Sequence, residues 1–356
     1  MKTIAYYISD YGYGHASRSI AVIRKLFKQP EVKIIVCHSF ALSFIKESLG
    51  SDRVSYRNIK TDIGYFVESY SIFPDKEKLL DEYKSFVVDW DNFIEQEREF
   101  LLKEKVDLVV SDISPLPFEA AYELGIQAVG VSNFTWYTAY RGLIEDVELT
   151  TFKNAYQKMT YFYSLIGSRE EWDMGSNEYG FFSREIDFDE VQRIKDSVNP
   201  TGDKKIVFLG LGMKIGVNSL EQLPIWDSPN CVFLVSSNVE VKRQNVFPIL
   251  ADYLESQNYI AASDLVISKA GWGMIGEAVS ANVPLLILNR PSMQEDQNTI
   301  EYLMGQQLCE LIDWEEFKSY HLDEGFIERL KTEMRGNDLL LSNQAEKIAE
   351  SLLRLL

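Results

Sequence analysis

The chain has 356 residues, of which 46% are hydrophobic, so it is too long for one ordinary core and too apolar to be disordered; two domains of similar size are expected. Its 54 acidic residues against 36 basic ones leave a net charge of -18, a field that repels phosphate backbones and anionic lipid and argues against nucleic acid as a partner. An anionic ligand must then be captured locally, by backbone amides at helix starts or by a single placed lysine.

Along the chain, short apolar runs alternate with longer segments of helical periodicity, the pattern of βαβ units and a parallel sheet. The first half predicts strands at 3–9, 32–39, 106–112 and 127–133, with helices near 16–28 and 78–105. The polar stretch 168–203 holds Gly175, Gly180, Pro200 and Gly202, shows little periodicity, and reads as a linker. Beyond it the pattern repeats, with strands at 205–210, 231–237, 265–269 and 284–289 and helices near 273–281 and 294–305. The amphipathic segment 339–356 reads as a last helix that packs on protein, in a core or across the domains, and not on a membrane. The expected organisation is an N-terminal domain at 1–167, a linker at 168–203, a second domain at 204–338 and the C-terminal helix.

Cys37, Cys231 and Cys309 each lie in or beside an apolar run, which is the usage of buried thiols in a reducing compartment. The opening apolar stretch is cut short by Asp10, and no other segment comes near ~20 uninterrupted apolar residues. Neither a signal peptide nor a membrane span is expected, and the location follows as cytoplasmic.

Open parallel sheets bind ligands beyond the carboxyl ends of their strands, so those loops carry the candidates. After the first strand, Asp10-Tyr11-Gly12-Tyr13-Gly14-His15 runs into a helix; Gly12 and Gly14 permit a tight turn, and His15 falls at the cleft near the helix start. His38 and His321 lack such a setting. The strand ending at Asp112 places a carboxylate where it can bond an imidazole on a neighbouring loop, fixing its tautomer and raising its basicity; an Asp there also serves as a cap before Pro115. Asn133-Phe134-Thr135-Trp136-Tyr137 offers aromatic area for an acceptor, with Trp136 and Tyr137 as stacking candidates and Phe134 as core.

In the second half, Ser268-Lys269-Ala270-Gly271-Trp272-Gly273 joins a strand to a helix whose first turn is expected to hold Glu277, where it can accept from both ribose hydroxyls. Gly210, Gly212 and Lys214 supply amides and an ammonium for phosphate, although no complete dinucleotide-binding fingerprint is present. Asp296 and Gln297 place a carboxylate and an amide within reach of sugar hydroxyls.

Taken together, YGYGHASR, VDLVVSDISP, GVSNFTW and AASDLVISKAGWGMIGEAV resemble the GT-B glycosyltransferases related to the bacterial peptidoglycan N-acetylglucosaminyltransferase and the UDP-glycosyltransferases. They are more similar still to the glycosyltransferase-like N-terminal region of plant L-arabinokinase. The resemblance runs to about Leu311 and implies an α/β chain of two Rossmann-like domains whose parallel sheets face a central cleft. It implies His15 as the base that deprotonates an acceptor hydroxyl, Asp112 as its orienting partner, Glu277 as the ribose ligand, Gly271 before the phosphate-binding helix, and Asp296 with Gln297 on the donor sugar. Three positions depart from the pattern: Met274 replaces a Thr or Ser near phosphate, the Gly210 loop lacks the usual Ser, and Ile300 stands where an Asn is expected.

The expected activity is an inverting, metal-independent transfer of a sugar from a nucleoside diphosphate sugar, UDP-linked by the resemblance, to an acceptor hydroxyl. No cofactor is required, and the donor-side residues are Gly212, Lys214, Ser268, Gly271, Trp272, Gly273, Glu277, Asp296 and Gln297. The acceptor side is Gly12, Gly14, Trp136 and Tyr137. A sugar-nucleotide epimerase or hydrolase, or a non-catalytic binder of the same fold, is the alternative, because fold alone does not settle function. No Gly/Ser-rich kinase loop follows Leu311, so ATP-dependent phosphorylation is not expected.

Overall fold

The computed structural model describes residues 1–68, 73–211, 220–237, 239–334 and 343–356. The chain divides into two units: residues 1–66, 74–180 and 344–356 form the first, and residues 67–73 and 181–343 the second.

The first unit is built on a seven-stranded sheet: β1 Lys2–Ile8, β2 Val32–His38, β3 Val54–Asn58, β4 Leu108–Asp112, β5 Gln127–Ser132, β6 Tyr161–Leu165 and β7 Gly175–Tyr179. Its order is β3-β2-β1-β4-β5-β6-β7, with every pairing parallel. Strands β1, β2 and β4 are buried almost throughout, which is why they read as unbroken apolar runs and not as alternations. The second unit carries six strands: β8 Lys205–Gly210, β9 Cys231–Val235, β10 Val246–Pro248, β11 Leu265–Lys269, β12 Leu285–Leu288 and β13 Cys309–Ile312. These are again all parallel, in the order β10-β9-β8-β11-β12-β13.

Each sheet therefore reverses its winding once, between β1 and β4 in the first unit and between β8 and β11 in the second. At such a reversal the loops leaving the two central strands diverge to opposite faces and open a crevice at their carboxyl ends. His15 and Asp112 follow or end the first pair of strands, and Gly210 and Gly271 end or follow the second.

Two expectations differ from the structure, and a third is narrowed to one of its alternatives. The 168–203 segment is not a linker, because β7 joins the first sheet and the helix Phe188–Val198 belongs to the second unit. Strand β7 is largely exposed and held by backbone pairing to β6, so it has no apolar signature. The helix does carry a signal: Asp187 caps it by accepting from the amides of Asp189 and Glu190, and it buries Val191, Ile194 and Val198 on one face. The expected 78–105 helix is two, Lys76–Val87 and Trp90–Lys103, broken where Val87-Val88 precede Asp89, a residue that favours a new helix start. The final helix is Ala345–Leu353; it belongs to the first unit and packs on the helix Tyr13–Leu26.

Candidate active site and donor site

Gly12 begins the first-unit site. Its φ of 82° lies in the left-handed region, which a side chain there would strain, and it lets β1 turn directly into the helix Tyr13–Leu26. No side chain caps that helix, so its first amides are not claimed by a capping residue. Asp10 pins the same loop to its neighbours, accepting from the amides of Ser39 (2.8 Å), Phe40 (3.0 Å) and Thr61 (2.9 Å) and from the Ser39 hydroxyl. Burial opposes its charge, but His38 and those donors hold Asp10 down to about 2. His38 is wholly structural: its Nε2 accepts from the Ala41 amide, and its Nδ1 lies 3.0 Å from both the Ile8 carbonyl and Asp10 Oδ1.

His15 and Asp112 meet as expected, with Nδ1 2.9 Å from Asp112 Oδ1. Both side chains are buried. The expectation missed Arg18. One helical turn after His15, its Nε donates to Asp112 Oδ2 at 2.7 Å and its Nη2 donates to Oδ1, a two-pronged grip. The Ser19 hydroxyl adds a bond to Oδ2, and the far side of the guanidinium donates to Asn133 Oδ1 (3.1 Å) and Ser132 Oγ (3.2 Å) at the end of β5. Burial would raise Asp112, yet Arg18 and His15 hold it well below the usual carboxylate range. Asp112 is thus an anion, so Nδ1 of His15 carries the hydrogen toward it. Burial pushes His15 below 6.5, Asp112 pulls it up as expected, and Arg18 pushes it down again, so the lift from the carboxylate does not offset the burial. His15 Nε2 bonds to no described residue.

Of the acceptor candidates, Gly14 lies in the first turn of the same helix. Trp136 offers no stacking face: it is fully buried and packs at 5.2–5.5 Å against Tyr140, Phe134, Tyr65 and Tyr11. Tyr137 is half-buried and lies beside Trp172.

In the second unit, Gly271 caps the helix Trp272–Ser280, again without a side-chain cap. Gly273 is buried in its first turn, and a Cβ on Gly276 would stand 2.7 Å from the Phe182 carbonyl, so this helix approaches the chain too closely for any other residue. Trp272, proposed for the donor, is instead packed against Phe181 and Phe182, and the Ser268 hydroxyl is spent on the Lys269 carbonyl. Glu277 lies in the second turn, not the first, and one of its oxygens is taken: Oε1 accepts from Arg184 Nη2 at 2.9 Å. Burial raises Glu277, with Arg184 opposing. Oε2 accepts from no described residue. Asp296 is buried against Arg290, whose Nε donates to Oδ2 at 2.6 Å, and Gln297 donates to Asn289 Oδ1 and the Arg290 carbonyl. Gly212 and Lys214 lie outside the described residues. The thioether end of Met274, the residue that stands in place of a hydroxyl, lies 2.5 Å from where a Cβ on Gly210 would be and fills the space beside that glycine. Ile300 is buried.

Residues 236–352 match the glycosyltransferase family 28 C-terminal domain. A UDP-glucosyltransferase from Polygonum tinctorium superposes with a TM-score of 0.68 at 11% identity, over 99% of this chain and 98% of that one. The fold is that of the GT-B glycosyltransferases. A UDP-GlcNAc 2-epimerase from Neisseria meningitidis shares it too, with a TM-score of 0.61 at 15% identity over 99% and 100% of the two chains. L-arabinokinase from Arabidopsis thaliana is 25% identical over 315 residues, 84% of this chain; the chain spans only 29% of that protein's length. Among the described residues, no helix is long and apolar enough to cross a membrane.

Proposed function

We propose that this chain is an inverting glycosyltransferase that moves a sugar from a UDP-linked donor to an acceptor hydroxyl. The observation that carries the reading is His15: its Nδ1–H is anchored on an ionised carboxylate at the winding reversal of the first sheet, and its Nε2 is left for a proton. A base so fixed removes the acceptor proton as the oxygen attacks the anomeric carbon, and the nucleoside diphosphate leaves from the opposite face. On the donor side, Glu277 Oε2 takes a ribose hydroxyl, the uncapped start of Trp272–Ser280 takes the diphosphate, and Asp296 and Gln297 orient the sugar. Lys214 and helix amides balance the leaving charge, so the reading asks for no metal and no cofactor. The UDP assignment leans on what the similar proteins are named for.

The test has two arms. Calorimetric titration with UDP and UDP-sugars establishes the donor; transfer to a panel of hydroxyl acceptors, read as UDP release, establishes turnover. His15→Ala should lower turnover roughly a hundredfold or more and leave UDP affinity almost unchanged, because proton removal matters only in the transition state. Since only the neutral ring accepts a proton and burial lowers its pKa, the acid limb of the pH–rate profile should fall below 6.5. Transfer by His15→Ala at the original rate removes the mechanism. The epimerase found among the similar folds makes the second reading concrete, and conversion of UDP-GlcNAc to an epimer with no acceptor present would favour it.

A further inference from the structure

Four donors converge on the two oxygens of Asp112. His15 Nδ1 and Arg18 Nη2 share Oδ1, while Arg18 Nε and Ser19 Oγ share Oδ2. Nη2 also lies 3.1 Å from Nδ1. Both atoms are donors here, because a lone pair on Nδ1 would face an anionic oxygen at 2.9 Å; they are neighbours only because they aim at the same acceptor. Arg18 is held in place from behind by Ser132 and Asn133, so the guanidinium cannot swing away from Asp112 without losing bonds at both ends.

We propose that Arg18 is a positioning residue for His15, one that neutralises Asp112 so that the imidazole stays uncharged with its hydrogen on Nδ1 and its lone pair on Nε2. A bare buried carboxylate 2.9 Å from an imidazole does two things: it orients the ring, and it stabilises the ring's protonated form. A general base needs the first and is disabled by the second, since an imidazolium has no lone pair to offer. An arginine in a two-pronged ion pair separates the two effects. It keeps the oxygen in place as an acceptor while cancelling most of the field that would draw a second proton onto the ring, and it does so at every working pH because guanidinium does not deprotonate. The groups that bear on the ring's charge are Asp112 at the end of β4, which raises its pKa, and Arg18 on the ring's own helix, which lowers it; His38 at the end of β2 carries no charge while its Nε2 accepts from the Ala41 amide. Phe134 packs edge-on at 6.1 Å and contributes no charge. The functional meaning of this arrangement rests on the proposed role of His15, but the arrangement itself is tested without any turnover.

The experiment is a pH titration of the histidine ring signals by NMR, on the full chain labelled at histidine, with His15→Gln identifying the His15 resonances among those of His38 and His321. In the wild type at pH 7 the nitrogen shifts should report a neutral ring with hydrogen on Nδ1. In Arg18→Met the His15 midpoint should move upward by about one pH unit or more, toward the behaviour of an imidazole beside an uncompensated carboxylate. Arg18→Lys, which restores the charge without the two-pronged geometry, should return it part of the way. If Arg18→Met does not fold, Arg18→Gln carries the same expectation, keeping chain length and one donor for Asp112. A residue that merely tied the helix to β4 and β5 would lower stability and leave the midpoint alone. An unchanged or lower midpoint in either folded variant, or a wild-type ring with hydrogen on Nε2, overturns the inference. Once a donor and acceptor are known, the acid limb of the pH–rate profile of Arg18→Met should move with the NMR midpoint. Should His15→Ala retain full turnover while the midpoint still moves, the role of His15 fails and that of Arg18 in its electrostatics stands.

Discussion

Asp112 and Glu277 invite comparison. Each is a buried acid close to the winding reversal of a parallel sheet, and each is held by a buried arginine from elsewhere in its own unit. Their charges nonetheless respond oppositely. Asp112, with donors on both oxygens, is held well below the carboxylate range, whereas Glu277, engaged through Oε1 alone, is raised by its burial. The difference teaches that burial does not decide what a carboxylate is for; the count of its internal donors does. A saturated acid organises its neighbours, and one with an oxygen to spare has the acceptor that the proposed ribose contact requires.

The sharpest way to break the comparison is to remove the saturated acid. Asp112→Ala leaves Arg18 buried without a counter-charge, and equilibrium denaturation should show a loss of about 3–5 kcal/mol. A loss near 1 kcal/mol, as for a simple helix cap, would mean that the pair is not the anchor of the site.

Asp10 extends the same logic through pH. Its folded value of about 2 lies below its ordinary 3.8, so it contributes stability above pH 4 that is lost as pH falls through 2. The contribution is about 2 kcal/mol. Asp62, next to it, is raised by burial and by the charge of Asp10 to about 7, so the folded state holds a proton that the unfolded state has shed, and stability declines as pH rises from 4 to 7. Stability should therefore peak near pH 4 as far as these two groups govern it, and Asp62→Asn should flatten the decline. A wild-type curve that is level from pH 2 to 7 would contradict both assignments.

The smallest effect tests the unsaturated acid. Glu277→Gln keeps the shape but removes the charge, and UDP affinity should weaken by about 1 kcal/mol, close to a fivefold change by calorimetry. Unchanged affinity would place the ribose elsewhere.

Much of this was legible in the sequence because it depends on short stretches of chain. Strands β8 and β11 and the helix Gln294–Gly305 were read to the residue, since a buried parallel strand is a continuous apolar run with polar ends. The glycine turns after β1 and β11 announced their loops, and the His15–Asp112 contact followed from placing both at adjacent carboxyl ends. Strands β3, β7, β10 and β13 were not seen, because edge positions need backbone pairing more than apolar side chains, and β6, which lies inside the sheet between β5 and β7, was missed as well. Trp136 and Trp272 were read as binding surfaces, since an aromatic residue beside a turn looks alike whether it faces a ligand or the core.

What the sequence determined by itself, then, is the alternation of strand and helix, the two sheets it implies, and the loops at the carboxyl ends of the central strands. Only the tertiary structure decided how the charges at those loops are balanced. Arg18 and Arg184 stand 94 and 93 residues from the acids they hold. An arginine's long side chain spans such gaps only once the sheet has brought the segments together, and no local pattern marks which carboxylate it will meet.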